Sequence, residues 1–302
     1  MTDTTPHVTP KQAARALGVS ESSLKRWCDQ GLIAASRTAG GHRRLSVADV
    51  LRFTREHDFP VVSPEVLGLP SVSEATPRTM SRAASRFAEA LLAGDEAAAR
   101  QIVFDLFLAR QRLSVIFDDV VAAAFRRIGE LWACHEAEVY QERRGCEITL
   151  QILFELRRVQ VRPDPAWRAI GGTLEGDPYM LPHLMAELVL REAGFHASTL
   201  GHSIPCSSLI RAVEDEQPHV LWLSVSHIRE GLDLVGEINA LWRACAARGV
   251  ALVVGGRALT APLRRRLTYS AYCDRLQQLE AFAGTLLASL KQASKSTGLR
   301  GR

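Results

Sequence analysis

The periodicity of the chain changes once, at Pro163 and Pro165, and the change rules out a fold built from one kind of layer. Before it, residues 79–160 read as helices almost without interruption. Phe87, Leu91 and Leu92 form one apolar stripe, and Ile102, Val103, Leu106 and Phe107 form the next, at helical spacing. The breaks near Gly94-Asp95 and at 133–138 are short, which predicts an antiparallel four-helix bundle. After the prolines, strands predicted at 167–174, 195–200, 220–225 and 250–254 alternate with helices at 181–193, 207–216 and 231–248. A last helix is expected over 281–291. Alternation of this kind predicts a Rossmann-like, doubly wound parallel sheet.

The amino-terminal segment has a third rhythm. Two short helices are predicted at 11–17 and 21–30, broken by Gly18 and ended by Gly31, with Ser20 as the N-cap of the second. A hairpin with its tip at Ala39-Gly40-Gly41 leads into His42-Arg43-Arg44-Leu45. Ser46 then caps a third helix, with Asp49 three residues on, running to about His57. Pro60, Pro64, Pro70 and Pro77, set among Ser, Thr and Gly, mark 58–78 as a linker. The expected order is a winged helix-turn-helix (1–57), the linker, a helical bundle (79–162), an α/β domain (163–292) and a basic tail (293–302). A chain of 302 residues has room for these parts.

Charge separates the first part from the rest. The whole chain carries +4. Residues 1–56 hold nine basic and five acidic residues, a net of +4, while the 28 basic and 28 acidic residues that follow cancel. A basic end on a neutral body predicts a polyanion-binding module. Other classes are disfavoured. No apolar signal-peptide core and no 18-residue apolar run is present, so no membrane partner is expected. Six cysteines are scattered without a C-x-x-C pair, which argues against a structural metal site and suits a cytoplasmic, nucleoid-associated protein.

A helix in a major groove reads base edges, and a basic hairpin lays cations on phosphate. Ser22, Lys25 and Arg26 share one face of the second helix, with Leu24 and Trp27 turned to the core. Arg37, His42, Arg43 and Arg44 flank the Gly40-Gly41 turn. The stretches TPKQAARALGVSESSLKRWCDQGLI and RTAGGHRRLSVADVLRF resemble the DNA-binding domain of the MerR family. The resemblance implies duplex DNA as partner. The contacts it implies are Ser22, Lys25, Arg26, Arg37, His42, Arg43 and Arg44. A single short reader covers one half-site, so a homo-oligomer, dimer or tetramer, is expected.

The body resembles the cobalamin-binding modules of methionine-synthase type, in the arrangement found in light-sensing repressors that use adenosylcobalamin. In that family D-x-H-x-x-G carries the lower cobalt ligand, and an S-x-L or S-x-T motif and a Gly-Gly pair follow at set distances. Here Asp177-Pro178-Tyr179-Met180-Leu181-Pro182 stands first, with Ser224-Val225-Ser226 after 41 intervening residues and Gly255-Gly256 after 28 more. The spacing matches, but Tyr179 replaces the histidine and Pro182 the glycine. The family's W-x9-E-H motif becomes Trp132, nine residues, Glu142 and Arg143. A phenol is protonated at neutral pH, and a guanidinium has no lone pair to give.

The expectation is therefore a repressor without cofactor or metal and without catalytic residues. Its sensor would act independently of cobalamin, as an oligomerisation or protein-partner module. Binding of a base-on corrinoid, haem or another tetrapyrrole in the same crevice remains an alternative; a corrinoid carrier or methyltransferase component is a further one. His135, His183, His202 and His227 are expected to be surface or hydrogen-bonded histidines, Trp132 to lie in the bundle core, and Glu142 and Arg143 to form an ion pair.

Overall fold

A computed structural model describes residues 6–71, 80–161 and 163–298, with side chains to 295. It divides into two compact units, 1–161 and 162–302. Residues 72–78 of the expected linker and Arg300 and Arg302 of the tail lie outside the described residues.

The first unit opens with β1 (His7–Val8), α1 (Pro10–Ala16) and α2 (Glu21–Asp29). Thr9 caps α1 through a reciprocal bond with Gln12, and Ser20 caps α2 by accepting from the Ser23 amide. Gly18 and Gly31, both at positive φ, turn the chain out of these helices. β2 (Ser36–Arg37) and β3 (Arg43–Ser46) form the wing, and β1 pairs with the other edge of β3. α3 (Val47–Glu56) follows, capped by Ser46. Trp27 of α2 packs tilted against Phe53 and edge-on against Phe59, at 4.8 and 5.1 Å between ring centroids.

The expected linker is in part folded structure. Pro64–Leu67 forms a 3-10 turn, Leu67 and Leu69 are buried, and the Val62 and Ser63 amides donate to the Ala16 carbonyl. Apolar side chains among the prolines outweigh the linker-like composition.

The bundle comprises α4 (Met80–Ala93), α5 (Glu96–Leu108), α6 (Leu113–Ile116) running through a π turn (Phe117–Val121) into α7 (Ala122–Ala133), and α8 (Val139–Val159). Phe87, Phe104 and Phe117 are fully buried in it. Arg55 of α3 donates to the Phe107 carbonyl at 3.2 Å and lies over the Phe107 ring. Arg110 pairs with Asp58 and donates to the Phe59 carbonyl at 2.8 Å. The helix-turn-helix is thereby seated on the bundle.

The second unit contains β4 (Arg168–Leu174), α9 (Met180–Glu192), β5 (His196–Ile204), α10 (Cys206–Glu216), β6 (Val220–Ser224) and α11 (Leu234–Ala246). These are followed by β7 (Ala251–Gly255), α12 (Ala261–Arg264), β8 (Ala271–Cys273) and α13 (Leu276–Gly298). The five strands are parallel, in the order β5-β4-β6-β7-β8. Ile170, Leu221, Leu223, Leu252 and Val254 meet Leu209, Val213, Ile238 and Leu241 in one core. Gly171 and Trp222, at the alternate positions, turn to the other face. α13 begins before the predicted 281 and runs past 291, into the expected tail. Among the described residues no helix is long and apolar enough to cross a membrane.

Candidate functional site

The residues expected to contact DNA lie on α2 and on the wing. Ser22, Lys25 and Arg26 are exposed on α2, while Leu24 is buried and holds that face outward. The wing turn closes with Gly41 donating to the Thr38 carbonyl at 2.8 Å and Thr38 donating back to His42 at 2.9 Å. Gly41 takes φ +79, which its lack of a Cβ permits. Arg37 and His42 are exposed there, and Arg44 is half-buried. Lys25 pairs with Glu21 at 2.8 Å, and that ammonium holds the Glu21 carboxyl below its ordinary range. The Arg43 guanidinium is turned onto α2, against Asp29 and the Lys25 carbonyl. Asp29 has no counterpart in the sequence reading. Its signal is an acid at the carboxyl end of a helix, where the macrodipole disfavours one.

In the second unit, the order of the strands reverses between β4 and β6. Loops leave that point toward opposite faces and open a crevice at the carboxyl ends of the strands. Asp177 ties the two loops together. One carboxylate oxygen accepts from the Ser226 and His227 amides at 2.6 and 3.1 Å, and the other from the Tyr179 amide at 3.1 Å. Tyr179 is the N-cap residue of α9, and Pro182 sits in its first turn, where a missing amide donor costs nothing. The Tyr179 ring lies 4.8 Å from the Arg257 guanidinium, and Arg257 donates to the Ser226 carbonyl at 3.3 Å. Ser224 and Ser226 are buried at this edge. A Cβ on Gly256 would overlap the Val225 carbonyl, so that glycine permits close packing of the loops.

His183, one turn past Tyr179, is not a surface histidine: it is 1% exposed. Its Nδ1 lies 2.9 Å from the Thr199 hydroxyl, and its Nε2 has no hydrogen-bond partner. Burial, followed by the charge of His202, lowers its pKa from 6.5 to about 4. The neutral ring therefore binds fewer protons than it does in the unfolded chain. Its contribution to stability is complete above pH 6.5 and falls by about 1.4 kcal/mol per pH unit between 6.5 and 4. We expect urea unfolding from pH 7 to 4 to show this slope in the wild type and to lose it in His183→Gln. Equal slopes would contradict the assignment. His135, His202 and His227 are exposed.

Trp132 is corrected from core to surface. It stands at the end of α7, 54% exposed, and Val139 and Tyr140 at the start of α8 are 47% and 64% exposed. Glu142 and Arg143 approach to 3.9 Å.

Residues 8–58 match the family model described as a helix-turn-helix domain, and residues 83–157 that described as a B12 binding domain. The HTH-type transcriptional repressor CarH of Myxococcus xanthus is 28% identical over 284 residues, covering 87% of this chain and 91% of that protein. The chain resembles CarH over most of its length and carries a helix-turn-helix match and a B12-domain match. A solved structure, the monomethylamine corrinoid protein of Methanosarcina barkeri, is similar to this CarH-like chain in fold. The TM-score is 0.57 at 14% identity, covering 69% of this chain and all of that one.

These findings overturn the expectation of no cofactor. The B12 domain match falls on the bundle, and CarH aligns across both units, so cobalamin is the cofactor indicated for the CarH-like chain. Tyr179 and Arg143 are two side chains within a whole framework that matches. A large ligand is held through many contacts, and metal ligation supplies only some of them.

In the second unit, the Tyr179 ring, the Arg257 guanidinium, Ser224 and Ser226 stand together at the crevice edge, a donor set that fits a polar group of a corrinoid. In the first unit, Trp132, Val139 and Tyr140 leave exposed apolar surface on the bundle.

Proposed function

We propose that this chain is a non-catalytic, DNA-binding transcriptional repressor whose B12-type body carries cobalamin. It would act in the cytoplasm, on the nucleoid, as a homo-oligomer placing two or more readers on duplex DNA. The observation that carries the reading is the order of parts. A cationic helix-turn-helix and a B12-type body share one chain, aligned with CarH over most of its length. In the reader, Arg26 and Lys25 would meet base edges, and Arg37, His42 and Arg44 would meet phosphate.

Bound cobalamin would supply a bulky planar group that alters the surface of the body. Ser224 and Ser226 would orient its polar tail. Tyr179 would close the crevice edge with Arg257.

Selection from a random duplex pool by the full chain tests the DNA claim. The expected outcome is an enriched, repeated half-site; an unenriched pool contradicts it. On the enriched duplex, Arg26→Ala should cost about 1–3 kcal/mol and relax preference at one position. Arg44→Ala should weaken binding to all sequences and reduce the salt slope by about one. Equilibrium dialysis against adenosylcobalamin tests the second claim: retention near one per chain is expected, and none contradicts it.

A further inference from the structure

Two of the cations expected to contact DNA, Lys25 and Arg43, are held by acids, and the two pairs are built differently. Lys25 and Glu21 are four residues apart on α2, so their contact fixes no element against another. Arg43 reaches from β3 to Asp29, the last residue of α2. Its Nη2 lies 2.6 Å from Asp29 Oδ1, and its Nη1 donates to the Lys25 carbonyl at 3.4 Å. One guanidinium thus holds a carboxylate and a carbonyl at the carboxyl end of the recognition helix, where a cation also suits the dipole. The Arg43 side chain is 25% exposed, against 53% for Lys25. The fork geometry of arginine makes two directed bonds at once, which a lysine cannot reproduce. Next in the strand, the Arg44 carbonyl accepts from Ser36 of β2 at 3.3 Å, so fixing β3 also fixes the rest of the wing.

We propose that Arg43 and Asp29 are a positioning pair that sets the wing at its angle to the recognition helix. Asp29, an acid on a DNA-binding surface, then supports DNA binding. Arg43 serves as a strut and leaves phosphate to Arg37, His42 and Arg44. The inference rests on the reading of residues 8–58 as the DNA reader and adds a role for an acid in it.

The two roles for Arg43 predict opposite signs. An acid near DNA ordinarily repels phosphate, so its removal should tighten binding. We expect Glu21→Ala to do so. Asp29→Ala, Asp29→Asn and Arg43→Ala should each weaken binding of the full chain to its selected duplex, about two- to fivefold. The Asp29→Ala, Arg43→Ala double variant should lose no more than either single change, and the salt slope should stay that of the wild type. Exchanging the pair, Asp29→Arg with Arg43→Asp, should recover part of the loss. Thermal melts establish that each variant is folded, and Asp29→Asn keeps the shape of the side chain if the alanine variant is not. Tighter binding by Asp29→Asn would overturn the proposal. So would a salt slope lowered by about one in Arg43→Ala, or losses that add in the double variant. A wild-type chain that enriches no duplex overturns the DNA reading itself, whereas a DNA-binding chain with additive losses overturns only the pair.

Discussion

Gly171→Ala should lower the stability of the α/β unit by about 4 kcal/mol or more. Gly171 lies in β4, in register with Trp222 of β6, at the point where the strand order reverses. A Cβ there would overlap both the Trp222 ring and the Trp222 carbonyl oxygen. The ring is buried and the carbonyl belongs to the strand ladder, so neither can move without separating β4 from β6. Overpacking alone costs about 1–3 kcal/mol, and the backbone overlap adds to it. Denaturant unfolding followed by tryptophan fluorescence gives the measurement. Adding Trp222→Leu should recover only part of the loss, because the carbonyl remains. A wild-type midpoint for Gly171→Ala would contradict the packing described.

Asp177→Ala should cost about 3–5 kcal/mol and at least tenfold in cobalamin affinity. The carboxylate is buried and accepts three amide bonds from the loops after β4 and β6. Alanine would leave the buried Ser226 amide and the half-buried Tyr179 and His227 amides without this partner and would untie the crevice edge. Charge-assisted bonds of this kind contribute about 1.5–3 kcal/mol each, with less than additive loss. Asp177→Asn keeps the shape and should lose about half as much. Unfolding and equilibrium dialysis on the two variants separate loop tethering from general destabilisation. Unchanged cobalamin affinity in a folded Asp177→Ala would contradict the role of this carboxylate at the crevice.

Much of this architecture was legible because it follows from local pattern. Gly18, Ser20, Gly31 and Ser46 mark the reader helices at the ends observed, and the apolar run at 220–225 is the central strand β6. What pattern could not show depends on register or on residues far apart. β8 has three residues and no periodicity. The π turn at Phe117–Val121 adds one residue inside a helix whose apolar stripe continues through it. Trp132 has the spacing of a core residue, yet it is exposed in the last turn of α7. Arg43 and Asp29 are 14 residues apart and meet through the fold alone. The motif spacing located the crevice, but reading two side chains as decisive led to the wrong expectation about the cofactor. The crevice edge is held by Asp177, Arg257 and backbone amides, and those contacts do not depend on a cobalt ligand.

Sedimentation velocity of the full chain with its selected, labelled duplex and adenosylcobalamin joins both halves of the proposed function in one run. Read at the visible corrin band and at the label, both signals should travel with the protein in a single fast boundary. A corrin band left with free ligand, or a label left with free DNA, would contradict it.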